Sequence, residues 1–280
     1  MYMRITTFLI AALWSPAIVM AQNSVLPLDS RHTVWEVAPQ ADMPHSEGDR
    51  VSTAGFKLKN AIEGVVPGTV FTAYVTAGKE KDPNYGTNIL EADEAFYTRP
   101  FWYRTEFRLQ KGKAGERVWL CLDNTNRYAD VWVNGQKVSG TKDSRRDISG
   151  HMLRSRFDIT DVVAKNGRNA VAVLIYDADQ KKSRHAKGDF ANACSPTYLS
   201  AAGWDWMPYV PGRMAGITGD VRIEITGGIS MSNTWVRTEL PTLTHADLCV
   251  QTTLHNATGS ARDVVLSGII QPGDISFSKV

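Results

Sequence analysis

The sequence predicts an all-β chain, an antiparallel sandwich or jelly roll followed by a second, strand-poor segment. Three observations carry this. Short runs with a two-residue apolar alternation recur from Phe101 onward. Turn signals separate them, the sharpest being Asn134-Gly135, where both residues tolerate positive φ. No stretch makes a convincing long helix.

Taken in order, the chain opens on what reads as a secretory signal. Arg4 supplies a positive charge, and Phe8 to Met20 are apolar except for Ser15 and Pro16. Val19-Met20-Ala21 then fits the small-residue cleavage rule, which places residues 1–21 in a signal peptide and makes Gln22 the new N-terminus. The apolar stretch is too short for a membrane span, and no later segment approaches one. The expectation is export to the periplasm or the cell exterior, with no membrane span in the mature chain.

Residues 22 to about 60 read as a lead-in with little periodicity. From Ala61 to Phe71 a Pro67-Gly68 turn divides two apolar runs, and Thr72 to Gly78 fits a brief helix or a strand equally. The polar loop Lys79 to Asn88 follows. Trp102 to Leu109 is aromatic and alternating, and Val118, Leu120 and Leu122 share one face by the strand period. Tyr128 to Val133 is the next strand, returning after Asn134-Gly135 through Gln136-Lys137-Val138. Arg156 to Val163, Ala170 to Tyr176 and Asp220 to Ile225 complete the series.

Gly227-Gly228 reads as a boundary, giving a first domain over 22–227 and a second over 228–280. The second holds three further strand-like runs, Thr234 to Leu240, Leu248 to Leu254 and Val264 to Ile270. These fall short of the roughly seven strands of an immunoglobulin-like sandwich, so a truncated domain of that type is expected.

Composition narrows the chemistry. Apolar content of 43% and charged content of 21% describe an ordinary globular chain, and a net charge of +2 argues against a nucleic-acid partner. The densest basic patch, Lys181 to His185, lacks interleaved aromatics and reads as a solvated loop. Cys121, Cys194 and Cys249 are odd in number and far apart, and no Cys/His spacing suggests a metal site; no cofactor is implied. There is no G-x-S-x-G and no Gly-rich phosphate loop, and no pair of carboxylates is singled out for acid–base work.

The stretch Gly203-Trp204-Asp205-Trp206-Met207-Pro208-Tyr209-Val210-Pro211-Gly212-Arg213 stands out. One carboxylate lies between two indoles on a segment broken by proline and glycine. Aromatic walls with a few polar groups suit a small-molecule site, and indole faces pack on the C–H face of a sugar. The structural alternative is a Trp-rich core corner whose Asp caps a turn. Trp102, Trp119 and Trp132 read as packing residues.

Six segments, in order, resemble the N-terminal sugar-binding domain of family 2 glycoside hydrolases. They are Val66-Pro67-Gly68-Thr69-Val70, Asp82-Pro83-Asn84-Tyr85-Gly86-Thr87-Asn88, Phe101-Trp102-Tyr103-Arg104, Val131-Trp132-Val133-Asn134-Gly135, Phe157-Asp158-Ile159-Thr160 and Gly203-Trp204-Asp205-Trp206-Met207. Their combination is most similar to the exo-β-glucosaminidase and β-mannosidase branch. One departure is that Gly216-Ile217 leads into Thr218-Gly219, where relatives carry an aromatic.

The resemblance implies a jelly-roll (galactose-binding-like) domain, then an immunoglobulin-like sandwich and a catalytic (β/α)8 barrel. Both catalytic glutamates of the family belong to the barrel, so no catalytic residue is expected in this chain. It implies that Asp205 accepts hydrogen bonds from sugar hydroxyls or pairs with an amino group, and that Trp204 shapes the pocket. Tyr85 and Asn88 would approach from their own loop, although Asn88 equally suits satisfaction of turn backbone. The implied partners are a terminal β-linked mannose, glucosamine or similar sugar, and a barrel domain in cis or in trans. A free-standing carbohydrate-binding module, or an interaction domain without hydrolase activity, is the alternative.

Overall fold

The computed structural model describes residues 2–4, 24–43, 47–110, 115–138, 148–150, 152–176, 210–270 and 275–279. The chain divides into two compact units, one of residues 24–225 and one of residues 1–23 with 226–280. Strand β1 (Tyr2–Arg4) belongs to the latter and is described with it.

Two sheets build the 24–225 unit. One has the order β10-β6-β12-β2, from β2 (Ser24–Pro27), β6 (Arg117–Leu122), β10 (Ser155–Asp158) and β12 (Val221–Thr226). The other has the order β4-β3-β5-β11-β7-β8, from β3 (Trp35–Pro39), β4 (Ile62–Gly64), β5 (Phe101–Arg108), β7 (Tyr128–Val133), β8 (Gln136–Lys137) and β11 (Arg168–Tyr176). The short β9 (Ile148–Ser149) also pairs with β7. β11 lies between β5 and β7 and is antiparallel to both, with Val173 opposite Tyr103 on one side and Val131 on the other.

The strand period sorts the side chains. Trp35, Val37, Tyr103, Phe107, Val131, Val133, Val171 and Val173 point inward and meet Val118, Leu120, Leu122, Val221 and Ile223 of the facing sheet in one buried cluster. The Trp35 indole N–H donates to the Leu28 carbonyl at 2.6 Å, so its one polar group is satisfied inside the core. The lead-in to about residue 60, read as having little periodicity, carries two strands at Ser24–Pro27 and Trp35–Pro39. β2 and β3 are four and five residues long and end in prolines, too short for periodicity to register, yet β3 carries two of the central core residues.

The outer face of the larger sheet has its own layer. Ala38, Trp102, Ala172 and Leu174 pack with Met43, Val51 and Leu58. The short helix α1 (Gly48–Val51) helps form this cover, and a Cβ on Gly48 would fall 2.1 Å from the Trp132 ring. Buried Arg104 fastens the cover. Its Nε donates to the Val51 carbonyl at 3.0 Å, and its guanidinium reaches the Thr53 carbonyl and Glu106. Burial alone would raise the pKa of Glu106, but Arg104, the Gly55 N–H and Arg168 outweigh it and hold it at about 2.

The expected hairpin forms. Asn134 and Gly135 both have positive φ, and Trp132 and Val133 pair with Lys137 and Gln136. Asn134 also locks the neighbouring loop, its Nδ2 donating to Asn169 Oδ1 at 2.7 Å and its Oδ1 accepting from Ala170 N at 2.9 Å. The stretch expected as a strand from Arg156 to Val163 is strand only to Asp158. Asp158 Oδ1 then accepts from Thr160 N at 3.1 Å, which turns the chain. The segment that fitted helix or strand is helix α2 (Val70–Thr76), because the Thr69 hydroxyl caps it by accepting from Thr72 N at 2.9 Å.

In the other unit, β13 (Ile229–Thr242) and β14 (His245–Asn256) form a long antiparallel pair with β1 on the far edge of β14. β15 (Leu266–Ile270) and β16 (Ile275–Lys279) form a separate antiparallel pair.

Candidate functional site

Of the site residues expected from the sequence, Tyr85 and Asn88 lie in a described loop of the 24–225 unit. After α2, Gly78 takes positive φ and releases the chain into the Lys79–Asp93 loop. A Lys81–Glu91 ion pair ties the two arms together. Between them Asp82 accepts from Asn84 N at 2.9 Å, and α3 (Asn88–Glu91) closes the turn. Tyr85 stands out from this turn, 76% exposed, with its ring offered to solvent. Asn88 Nδ2 donates to the Asp82 carbonyl at 2.9 Å, so its amide nitrogen serves the turn.

Helix α4 (Glu94–Tyr97) follows, with Asp93 accepting from Ala95 N at 3.0 Å as its cap. Tyr97 is buried and its hydroxyl donates to Glu80 at 2.7 Å, which fixes the start of the loop to its end. Burial, then the Glu80 contact, raises the Tyr97 pKa well above its ordinary value. Phe71, Tyr74, Phe96, Tyr97 and Phe101 meet edge-to-face at 5.0–6.1 Å and form a stiff aromatic base.

Trp204 and Asp205 lie outside the described residues, as does Trp206. The chain is described again from Val210, and Pro211–Met214 form a 3-10 turn in which Gly212, Arg213 and Met214 all have positive φ. Left-handed backbone at two non-glycine residues is costly and persists only where surroundings hold it. Here Asn126, wholly buried, donates from Nδ2 to the carbonyls of Arg213 and Met214, both at 2.9 Å. The Glu94 carboxylate accepts from Gly212 N at 3.3 Å. A Cβ on Gly212 would press on Tyr97 at 3.0 Å, so α4 and this turn are in close contact.

The structure thus joins α4, which follows the loop of Tyr85 and Asn88, to the turn at Pro211–Met214. Sequence reasoning missed Glu80, Glu94 and Asn126, which do this fastening. The acidic run around Glu91, Asp93 and Glu94 was a signal for part of it; nothing in the sequence marked Asn126. Among the described residues no His/Cys/Asp/Glu group is arranged to hold a metal ion, and no helix is long and apolar enough to cross a membrane. Cys121 and Cys249 are free thiols, and burial pushes the Cys121 thiol up to about 12.

The two-sheet jelly roll places the 24–225 unit in a class of protein, the galactose-binding-like domains. Residues 45–219 match the glycosyl hydrolase 2 galactose-binding domain-like family, and the chain belongs to that family. It is 30% identical over 239 residues to an exo-β-D-glucosaminidase of Amycolatopsis orientalis, a match covering 85% of this chain and 21% of that protein. It resembles the crystal structure of the exo-chitosanase from Amycolatopsis orientalis with a TM-score of 0.69 at 26% identity, over 91% of this chain and 27% of that one. A β-D-mannosidase from Dictyoglomus thermophilum shares the fold, with a TM-score of 0.57 at 20% identity, over 80% of this chain and 25% of that one. The chain spans about a quarter of the length of these relatives.

Proposed function

We propose that this chain is the sugar-facing N-terminal part of an exo-β-glycosidase, and that it forms one wall of the terminal-sugar subsite. Asp205 accepts from sugar hydroxyls or pairs with an ammonium group, and Trp204 lines the pocket. Tyr85 and Asn88 reach the sugar from their own loop. A catalytic barrel, in cis or in trans, supplies both carboxylates of a retaining mechanism through a glycosyl-enzyme intermediate. The relatives' names favour a terminal β-linked glucosamine or mannose as substrate.

One observation supports the placement most directly. The turn that continues from the Trp204-Asp205 segment is held against α4 by Glu94, and α4 closes the loop that presents Tyr85. Residues far apart in the chain share one rim, by this reading, only because of that contact.

The purified chain is expected to give no turnover of aryl β-glucosaminides or β-mannosides, and measurable hydrolysis would overturn the reading. Titration with the free sugars is expected to show millimolar or weaker binding, since half the subsite is missing. Micromolar binding abolished by Trp204→Ala would instead make the chain a free-standing carbohydrate-binding module. We also infer export through residues 1–21; a mature N-terminus at Gln22 in the source organism is the expected result of N-terminal sequencing.

A further inference from the structure

At the base of the Tyr85 loop lies an open cleft of about 580 Å3. Ile62 of β4, Tyr74 of α2 and Phe96 of α4 form its apolar wall, and Asn60, Lys79, Glu80 and Asp93 surround it. The Tyr74 and Phe96 rings meet edge-to-face at 5.0 Å and are braced by Tyr97 and Phe101, so the wall is rigid before anything binds.

The polar groups around this wall are only half used. Glu80 accepts one hydrogen bond, from Tyr97, through Oε1, and Asp93 accepts one from Ala95 N through Oδ1. The other oxygen of each receives none among the described residues. Lys79 is exposed and makes no ion pair there. Tyr74 is nine-tenths buried and lines the cleft, yet its hydroxyl has no hydrogen-bond partner among the described residues. The hydroxyl is therefore available to a ligand in the cleft. Burial, then the charge of Asp42, pushes the Tyr74 pKa up to about 12, so the group stays a neutral donor at any physiological pH.

An aromatic wall with converging hydroxyl, carboxylate and ammonium groups matches a pyranose ring, apolar on its C–H face and polar around its edge. The lining carries two carboxylates against one lysine. Beyond it the charges of Asp42 and of Arg99, which stacks on Phe96 at 5.0 Å, oppose each other at Tyr74. The balance stays negative and favours a sugar that itself carries an ammonium group. We propose that this cleft binds an amino-sugar unit, a glucosamine residue of a glycan, using Tyr74 and Phe96 as the apolar wall and Glu80 and Asp93 as acceptors. The inference rests on the carbohydrate reading above and adds a binding place built from this chain's own described residues.

The test is a titration of the purified chain with a β-1,4-linked glucosamine disaccharide, followed by amide chemical shifts. Saturable shifts at Asn60, Lys79, Glu80 and Phe96 are expected, with about tenfold weaker binding of the corresponding glucose disaccharide. Glu80→Gln keeps the acceptor for Tyr97 and is expected to weaken the glucosamine disaccharide about tenfold with unchanged thermal unfolding. Lys79→Ala, which removes a like charge, is expected to tighten it about twofold. Shifts confined to Trp204, Asp205 and Tyr85 would overturn the cleft and leave the proposed subsite standing. No saturable shift anywhere into the tens of millimolar would also overturn the cleft. That second outcome leaves the barrel-dependent subsite intact, because hydrolysis after adding a barrel tests it separately.

Discussion

The two units use the same strand geometry with opposite results. In residues 24–225 each sheet finds an apolar partner, so Leu120, Tyr103, Val131 and Val173 are fully buried. In residues 226–280 the long β13–β14 pair leaves Met231, Trp235, Val236 and Leu240 more than half exposed, and no hydrophobic residue of this unit is among the buried ones described. Pairing satisfies backbone groups in both. Only a second layer converts pairing into a core, and the β1-β14-β13 sheet shows none among the described residues.

That contrast predicts how each unit answers to mutation. Leu120→Ala should lower the unfolding free energy by about 2–5 kcal/mol in a denaturant titration, because it removes buried volume from the shared core. Val236→Ala, on the exposed ribbon, should move it by no more than about 0.5 kcal/mol. Equal losses at the two sites would mean that the ribbon is covered in solution.

Asn126→Ala should cost about 1–3 kcal/mol, since one buried and one partly buried carbonyl lose their donor and the left-handed turn loses its clamp. Proteolysis should then begin near residues 203–214, and cleavage elsewhere would assign the strain to another contact.

Acid gives a smaller effect of known sign. The Glu106 pKa falls from its ordinary value of 4.5 to about 2 in the folded chain, so its contribution is fully present above about 4.5. It is lost as pH drops toward 2. Glu106→Gln should therefore flatten the decline of the melting temperature between pH 4.5 and 2, relative to the parent. An unchanged slope would place the acid sensitivity in other carboxylates, Asp29 and Asp158 among them, both of which are held low by arginine and hydrogen-bond partners.

Tyr85→Ala should be the quietest for stability, within about 0.5 kcal/mol, because the ring is exposed. In an enzyme completed by its barrel, the same change should raise KM for the terminal sugar. An unchanged KM would make Tyr85 an ordinary surface residue.

Much of this architecture was legible in the residues. Val118, Leu120 and Leu122 announced their face by alternation, and Asn134-Gly135 announced its hairpin through backbone tolerance. Cys121 proved to be a buried thiol rather than half of a disulfide. β2 and β3 escaped notice because strands of four or five residues hold too few alternations to stand out. Helix α2 was ambiguous for the same reason, and its Thr69 cap decided it. The six family-like segments pointed to the loop of Tyr85 and Asn88, yet they could not say that Asn88 spends its amide on the Asp82 carbonyl.

The sequence by itself determined the local choices, namely strand faces, turn positions and the helix cap, because neighbouring residues and backbone sterics decide them. Tertiary structure alone decided which distant groups meet. Asn126 and Arg213 are 87 residues apart, and Glu94 and Gly212 are 118 apart. Tyr74, Glu80 and Phe96 share a cleft only because α2 and α4 come together beside Ile62 of β4. Such meetings arise from burial of the aromatic base, a global term that no short window of residues contains.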